Sequence, residues 1–275
     1  MPENSSPNSK VFMAGAACLI LGFAAGFFLA NGLNRQEQDR LRAEVTNLKA
    51  GGPAADATNP TRPAEPGRQQ QAQASGEDSF PKLTDEQLAN AVSKADASPA
   101  DAELQRKVGQ ALYVYAWQEN KASILPDVAR ILKRAHDLDP KDYKTTVMAG
   151  DAQFLIARSG GDRKSLTEAR KLYEAALAAK PDDAIVRTSL GLTYFYDSPS
   201  DPQRAIREYR RALQTDPQQE MSLQSLAAAL VETGAFDEAS RRLDELEKVN
   251  ATNRELPNLR AQLEQKRNAA KEGKP

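Results

Sequence analysis

Residues able to do chemistry are scarce in this sequence. His136 is its only histidine and Cys18 its only cysteine, so two such side chains cannot make a His/Cys metal cluster or a histidine-assisted nucleophile. The Gly160-Gly161 pair lacks the strand and the lysine that accompany a phosphate-binding loop. We therefore expect no enzymatic activity, no metal and no cofactor.

The remaining titratable groups have structural interpretations. The pairs Asp182-Asp183 and Asp244-Glu245 fall at predicted helix starts or on exposed faces, where a solvated charge is the expected state. His136 falls near the end of a predicted helix, where a partial positive charge is favourable. We interpret it as a surface residue rather than as a catalytic base.

Length and composition set outer limits on the fold. The chain has 275 residues, of which 40% are hydrophobic and 27% are charged, enough for one sizeable folded domain. Its net charge of −1 gives no electrostatic reason to expect nucleic acid as a partner. Because only 6% of the residues are aromatic, the core must consist mainly of Ala and Leu. Such a composition suits stacked helices.

One segment, residues 184–219, carries a complete repeat signature. Its marker residues are Leu190, Gly191, Tyr194, Ala205, Tyr209, Ala212 and Pro217. This pattern resembles the tetratricopeptide repeat, a helix pair of about 34 residues. The small residues let the two helices approach closely, and the large ones fill the space between them. The proline ends the second helix, because its ring excludes helical geometry for the residue before it.

The closing prolines fix the register of the other repeats. Pro140, Pro181 and Pro217 are separated by 41 and 36 residues, and the extra residues fall between the two helices of a pair. The resulting repeats are 102–142, 143–183, 184–219 and 220–253, within a domain at 83–272. A capping-box helix at 84–97 precedes them, and a polar-faced capping helix at 254–271 follows. The predicted fold is all-α, and the resemblance implies a right-handed α-solenoid.

The resemblance also implies a functional surface. In that family the first helices line a concave groove that binds a peptide or helix of a partner protein. The positions carried over to this sequence are Arg106, Gln110, Tyr113, Lys144, Asp151, Phe154, Thr188, Leu192, Phe195, Tyr196 and Gln224. The groove would be apolar and aromatic, suited to an extended segment or an amphipathic helix. The alternative for the aromatic residues is packing inside the domain.

The N-terminal third has a different character. Residues 1–10 form a polar tail that we expect to be disordered. Residues 11–33 carry no charge and would span roughly 35 Å as a helix, enough to cross a bilayer. A cleaved signal peptide is the alternative, but its apolar region should be shorter, about 7–15 residues, and end at a small-residue site. We predict an uncleaved transmembrane helix.

Two features of this region could support self-association. Small residues recur every fourth position on one face of the membrane helix, at Ala14, Cys18, Gly22, Gly26 and Ala30. Such a face allows close helix packing and hence a homodimer, although small residues are also common in membrane helices. Residues 34–49 form a short charged helix, either solvated or extending that dimer as a coil. Residues 50–82, rich in Pro, Ala and Gln, are predicted to be a disordered linker.

Location and function follow from this architecture. Arg35, Arg40, Arg42 and Lys49 follow the membrane helix, so the positive-inside count alone favours the cytoplasm. Similar bacterial proteins place their repeats outside the inner membrane, and we predict the periplasmic side. The predicted function is a tethered scaffold that binds a partner protein in envelope assembly, such as cytochrome c maturation or pilus or secretion assembly. The alternative is a self-assembling structural protein with no soluble client.

Overall fold

The computed structural model describes residues 35–50, 81–160 and 163–273, and these residues form α-helices with no β-strand among them. The predicted tail, the predicted membrane helix at 11–33 with its small-residue face, and residues 51–80 of the predicted linker lie outside the described residues. Among the helices of the described part, none has both the length and the apolar character needed to cross a membrane.

The helices follow one another through short connections. Their bounds are α1 Arg35–Ala50, α2 Asp85–Ala97, α3 Ala102–Gln118, α4 Leu125–Leu138, α5 Tyr143–Arg158, α6 Arg163–Ala179, α7 Ala184–Phe195, α8 Pro202–Thr215, α9 Glu220–Glu232, α10 Phe236–Val249 and α11 Leu256–Glu272. A short 3-10 helix, Ala122–Ile124, lies between α3 and α4. The described chain divides into an N-terminal unit, residues 35–138, and a C-terminal unit, residues 139–273.

In the N-terminal unit, α2 opens with the capping box that the sequence predicts. The Thr84 side chain accepts a hydrogen bond from the Gln87 backbone N–H, and the Gln87 side chain accepts one from the Thr84 N–H. These two bonds satisfy donors that helical geometry leaves free. Helix α2 packs on α3 and α4, and its Leu88, Ala91 and Ala95 are buried.

Helix α1 packs against α3 and α2 of the same chain. Its Leu41 and Val45 are 3% and 0% exposed, and the Gln87 side-chain amide donates a hydrogen bond of 2.6 Å to the Lys49 carbonyl. The structure therefore differs from both interpretations of residues 34–49, a solvated helix and a dimeric coil. The physical reason is that the apolar stripe of α1 is covered by α3 within the chain.

The C-terminal unit is a continuous stack of helices. Each helix from α5 to α11 packs against the next, and the first helices of successive pairs, α5, α7, α9 and α11, also touch one another. Aspartates cap three of these helices: Asp142 caps α5, Asp183 caps α7 and Asp201 caps α8. Helices α6 and α8 end two residues before Pro181 and Pro217, as proline requires. Helix α11 closes the core with Leu256, Leu259 and Leu263.

A tyrosine passes close to a glycine in two of these pairs. A Cβ built on Gly150 would lie 2.8 Å from Cε1 of Tyr173, and one built on Gly191 would lie 2.5 Å from Cε1 of Tyr209. No real Cβ tolerates such distances, so glycine is required for the rings to cross the first helix. The next pair has Ala227 at the glycine position and the shorter Leu243 at the tyrosine position.

Candidate protein-binding site

The predicted groove residues of the first repeat lie on α3, in the N-terminal unit. Gln110 and Tyr113 are both 3% exposed. Arg106 is half-buried, and its Nη2 lies 2.5 Å from Oε2 of Glu103. Of these three side chains, only that of Arg106 is appreciably exposed to solvent, and it already forms an ion pair with Glu103. The structure thus offers little free contact surface at these positions.

Several predicted residues of the C-terminal unit are buried in internal hydrogen bonds. Asp151 accepts a hydrogen bond of 2.8 Å from the Tyr173 hydroxyl. The Thr188 hydroxyl, which is fully buried, donates to the Ala184 carbonyl and lies 2.5 Å from Oγ of Ser222. Such contacts hold neighbouring helices together, so these two residues have a structural role.

Gln224 and Lys144 are polar residues on the first helices α9 and α5. Gln224 is half-buried and accepts a hydrogen bond of 3.1 Å from the Asn253 side chain. The Asn253 side chain also donates a hydrogen bond of 2.6 Å to the Glu220 carboxylate. This bond joins the turn before α11 to the start of α9. Lys144 is half-buried at the start of α5. These two residues lie in the N-terminal halves of their helices.

The remaining predicted residues meet at the C-terminal ends of α5 and α7. The ring centroid of Tyr196 lies 6.2 Å from that of Phe154 and 5.2 Å from that of Phe195, the latter in an edge-on arrangement. Leu192, one turn before Tyr196, is buried. Phe195 and Tyr196 are both partly buried. Aromatic residues that combine partial exposure with rigid packing are typical anchors of protein interfaces. We call this group, Phe154, Leu192, Phe195 and Tyr196, the aromatic cluster.

Arg158 supplies a positive charge to this cluster. Its Cζ lies 3.7 Å from the ring centroid of Tyr196, in cation–π geometry. Burial raises the pKa of Tyr196 to about 12, an effect that the Arg158 charge opposes. Tyr196 is therefore a neutral hydroxyl donor at physiological pH. The charge of Glu255, which precedes α11, also raises the pKa of Tyr196. Burial in turn raises the pKa of Glu255.

The C-terminal unit contains buried hydrogen-bond donors that have no acceptor among the described residues. They include the hydroxyl of Tyr209, whose side chain is 0% exposed, and Nε of Arg158. The equivalent hydroxyl of Tyr173 is satisfied by Asp151, which directly follows Gly150. After Gly191 the corresponding residue is Leu192, which offers no acceptor. The unpaired state of Tyr209 thus follows from one residue difference between two repeats.

The sequence prediction missed Arg158 and the hydroxyl of Tyr209. A signal for Arg158 was available, because Asp151, Phe154 and Arg158 follow the i, i+3, i+7 spacing of one helix face. His136 was predicted to be a surface residue at a helix end. It lies in the last turn of α4 but is half-buried, and this burial lowers its pKa.

The N-terminal unit also contains an open groove of about 560 Å³ between α2, the 3-10 helix and α4. Its carboxylates are already paired: Asp85 lies 2.5 Å from Lys121, and Asp96 contacts Arg130 and Arg134. Across the described ranges, no group of three or more His, Cys, Asp or Glu side chains is placed to hold a metal ion.

The described part of the chain is therefore an α-helical repeat protein in which small residues, buried tyrosines and leucines, and closing prolines recur. The particular family follows from comparison with family models: residues 199–263 match the tetratricopeptide repeat model. The resemblance identified from the sequence is confirmed, and this segment belongs to the tetratricopeptide repeat family.

Three solved structures illustrate what this chain is similar to. MamA from Desulfovibrio magneticus RS-1 is 20% identical, with a TM-score of 0.48, covering 62% of this chain and 86% of that one. TTC0263, a tetratricopeptide repeat protein of Thermus thermophilus, is 16% identical (TM-score 0.46, covering 66% and 88%). YrrB, described as having an unusual peptide-binding site, is 16% identical (TM-score 0.44, covering 60% and 77%). None of the curated protein sequences matches the chain.

Proposed function

We propose that this chain is a membrane-tethered, non-enzymatic scaffold whose first helices form the concave side of a right-handed solenoid and bind a segment of a partner protein. The aromatic cluster carries the proposal. It places the partly exposed rings of Phe195 and Tyr196 at the C-terminal end of a first helix, with the Arg158 guanidinium on the Tyr196 ring. Rigidly packed aromatic residues and arginines that keep some exposure are typical anchors of protein interfaces.

The tether and the location extend this proposal. The uncharged segment 11–33 supports a single membrane-spanning helix. We place the repeats on the periplasmic side of a bacterial inner membrane, where the protein would serve the assembly of an envelope complex. Cytochrome c maturation and pilus or secretion assembly are the processes we favour. Partner binding near the membrane would raise the local concentration of the bound protein.

A peptide-display selection on the full chain in lipid nanodiscs tests the binding proposal. Random 12-residue peptides are selected on the wild type, and an enriched peptide is then titrated against two variants. Tyr196→Ala removes the centre of the aromatic cluster and should weaken binding by roughly tenfold or more, as for an interface anchor. Val249→Ala, an exposed apolar residue on α10, is the matched control and should bind normally.

Two results would contradict the proposal. One is the absence of any enriched peptide, and the other is equal binding by the wild type and Tyr196→Ala. Concentration-dependent self-association of the wild type in sedimentation equilibrium, without peptide binding, would favour the structural oligomer instead.

The membrane topology is tested separately. Lys171→Cys places a cysteine at an exposed position, and its reactivity toward a membrane-impermeant maleimide is measured in intact spheroplasts. Protection of that cysteine would contradict the periplasmic placement.

A further inference from the structure

Helix α1 occupies the place of a first helix ahead of α2. In the C-terminal unit, a first helix such as α7 packs on the second helix of its own pair, α8, and on the next first helix, α9. Helix α1 makes the same two contacts, with α2 and with α3. Its Leu41 and Val45 are buried, and the Gln87 side chain of α2 donates a hydrogen bond of 2.6 Å to the Lys49 carbonyl. Helices α1 and α2 thus form a helix pair that precedes the four predicted repeats.

The side of α3 that faces away from α4 is apolar and covered. Helix α4 packs on the side that carries Gly109, since a Cβ built there would lie 2.7 Å from Cδ2 of Leu132. Ala111 and Val114 lie on the opposite side by helical geometry, and they are 0% and 1% exposed. With α4 on the other side, α1 and α2 are the helices of this unit that cover them. Removal of α1 would bring apolar side chains into water, so this surface requires a helix.

The connection between α1 and α2 sets this pair apart from the others. The other pairs are joined through short stretches, the longest being residues 119–124 and 196–201, whereas residues 51–84 separate α1 from α2. A short connection requires both helices of a pair to come from one chain. A connection of this length does not, so the same contacts can form within one chain or between two copies that exchange the helix.

The position of α1 in the sequence favours exchange between copies. Helix α1 begins at Arg35, just beyond the uncharged segment 11–33. This step rests on the membrane tether of the proposed function. Anchoring in one bilayer would hold the α1 helices of neighbouring copies at the same depth and would raise their local concentration. Each α1 would then be within reach of α2 and α3 of another copy.

We infer that α2 and α3 form a binding surface for an amphipathic helix, and that its ligand is α1 of a second copy, so that two anchored chains exchange α1 and form a dimer. The ligand is recognised by two apolar residues spaced four apart, Leu41 and Val45, and by the Lys49 carbonyl, which accepts the hydrogen bond from Gln87. Exchange keeps every one of these contacts. A coiled-coil dimer would instead use the apolar stripe of α1 for contact with another α1.

Crosslinking between two differently tagged full-length chains in liposomes tests the exchange. Both chains carry Cys18→Ala, which removes the only cysteine of the sequence. One chain also carries Lys49→Cys and the other Gln87→Cys, and a short bismaleimide is added. A heterodimer should form. Ser93→Cys, at an exposed position of the same helix α2, replaces Gln87→Cys as the matched control and should give at least tenfold less.

Two further substitutions distinguish exchange from simple collision of the membrane helices. Val45→Asp in the Lys49→Cys chain should reduce the heterodimer about tenfold, because it places a charge at a fully buried position. Ala43→Asp, at an exposed position, should leave it unchanged. Circular dichroism of each chain verifies that it is folded. A single chain with both Lys49→Cys and Gln87→Cys reports the contact within one copy.

An internal crosslink in that double variant without any heterodimer would overturn the exchange. A heterodimer that Val45→Asp does not reduce would overturn it as well, because the contact would then not depend on α1. The absence of both crosslinks would show that α1 does not bind α2 and α3 at all. Flotation of the liposomes measures the membrane tether separately, and peptide binding by the aromatic cluster is measured independently, so failure of this inference is distinguishable from failure of the proposed function.

Discussion

The Tyr173 hydroxyl donates a hydrogen bond of 2.8 Å to the Asp151 carboxylate, across the interface between α6 and α5. The equivalent Tyr209 has no such partner, because Leu192 replaces the aspartate. These two tyrosines occupy the same place in successive repeats and differ in one neighbour. The pair therefore offers an internal comparison of a satisfied and an unsatisfied buried hydroxyl.

The first prediction uses that comparison. Tyr173→Phe removes a buried charge-assisted hydrogen bond and should destabilise the chain by roughly 1–3 kcal/mol. Tyr209→Phe removes a hydroxyl without a partner and should change stability by at most about 0.5 kcal/mol, or increase it slightly. Urea unfolding followed by circular dichroism measures both. Equal losses in the two variants would show that the hydroxyls are in equivalent environments.

The second prediction concerns the crossing of Tyr209 over Gly191. Gly191→Ala places a methyl group against the ring and should cost about 1–3 kcal/mol through overpacking. Adding Tyr209→Leu should recover much of this loss, because the chain already pairs Ala227 with Leu243 at the same positions. Thermal unfolding of the single and double variants gives the coupling energy. Strictly additive losses would argue against the predicted steric conflict.

Much of the repeat region could be predicted because the constraints are local. Proline two residues beyond a helix end, an aspartate at its start and glycine beneath a large ring each act within one pair, so single residues reveal them. The packing of α1 on α3 could not be predicted, because residues 51–84 separate α1 from α2 in the sequence and the spacing of Leu41, Val45 and Leu48 equally suits a coiled coil. All four residues of the aromatic cluster are predicted groove positions, whereas the unpaired hydroxyl of Tyr209 depends on which groups lack a partner after folding. Only the comparison of Asp151 with Leu192 indicates that hydroxyl.

The third prediction tests the packing of α1. Val45→Asp places a charge at a fully buried position and should release α1, so that amide hydrogens of residues 39–50 exchange much faster. Ala43→Asp introduces the same residue at an exposed position of the same helix and serves as the control. Hydrogen exchange with mass spectrometry measures the exchange rates of these amide hydrogens in both variants. Unchanged protection in Val45→Asp would mean that α1 does not depend on this contact.

The fourth prediction concerns the pH dependence of the same contact. Burial raises the pKa of Glu44 in docked α1, opposed by Lys107, Arg40 and Arg106 and reinforced by Glu103. Protonation therefore favours docking, and this contribution is lost as the pH rises through the raised pKa. Protection of α1 should be greater at about pH 5 than at about pH 7.5.

Glu44→Gln supplies the control for this pH effect. The variant should protect α1 at least as well as the wild type at the higher pH, and its protection should not change between the two pH values once the intrinsic exchange rate is corrected. An equal pH dependence in the wild type and in Glu44→Gln would assign the effect to other groups.

The most direct test of the central claim is photocrosslinking in cells from a photoreactive residue at Phe195, with the same residue at Val249 as the control. If the aromatic cluster binds a partner, the Phe195 position should yield one discrete adduct with another protein. The Val249 position should not yield this adduct, and Arg158→Gln should reduce it. Adducts only with copies of the same chain, or the same adducts from both positions, would contradict the account.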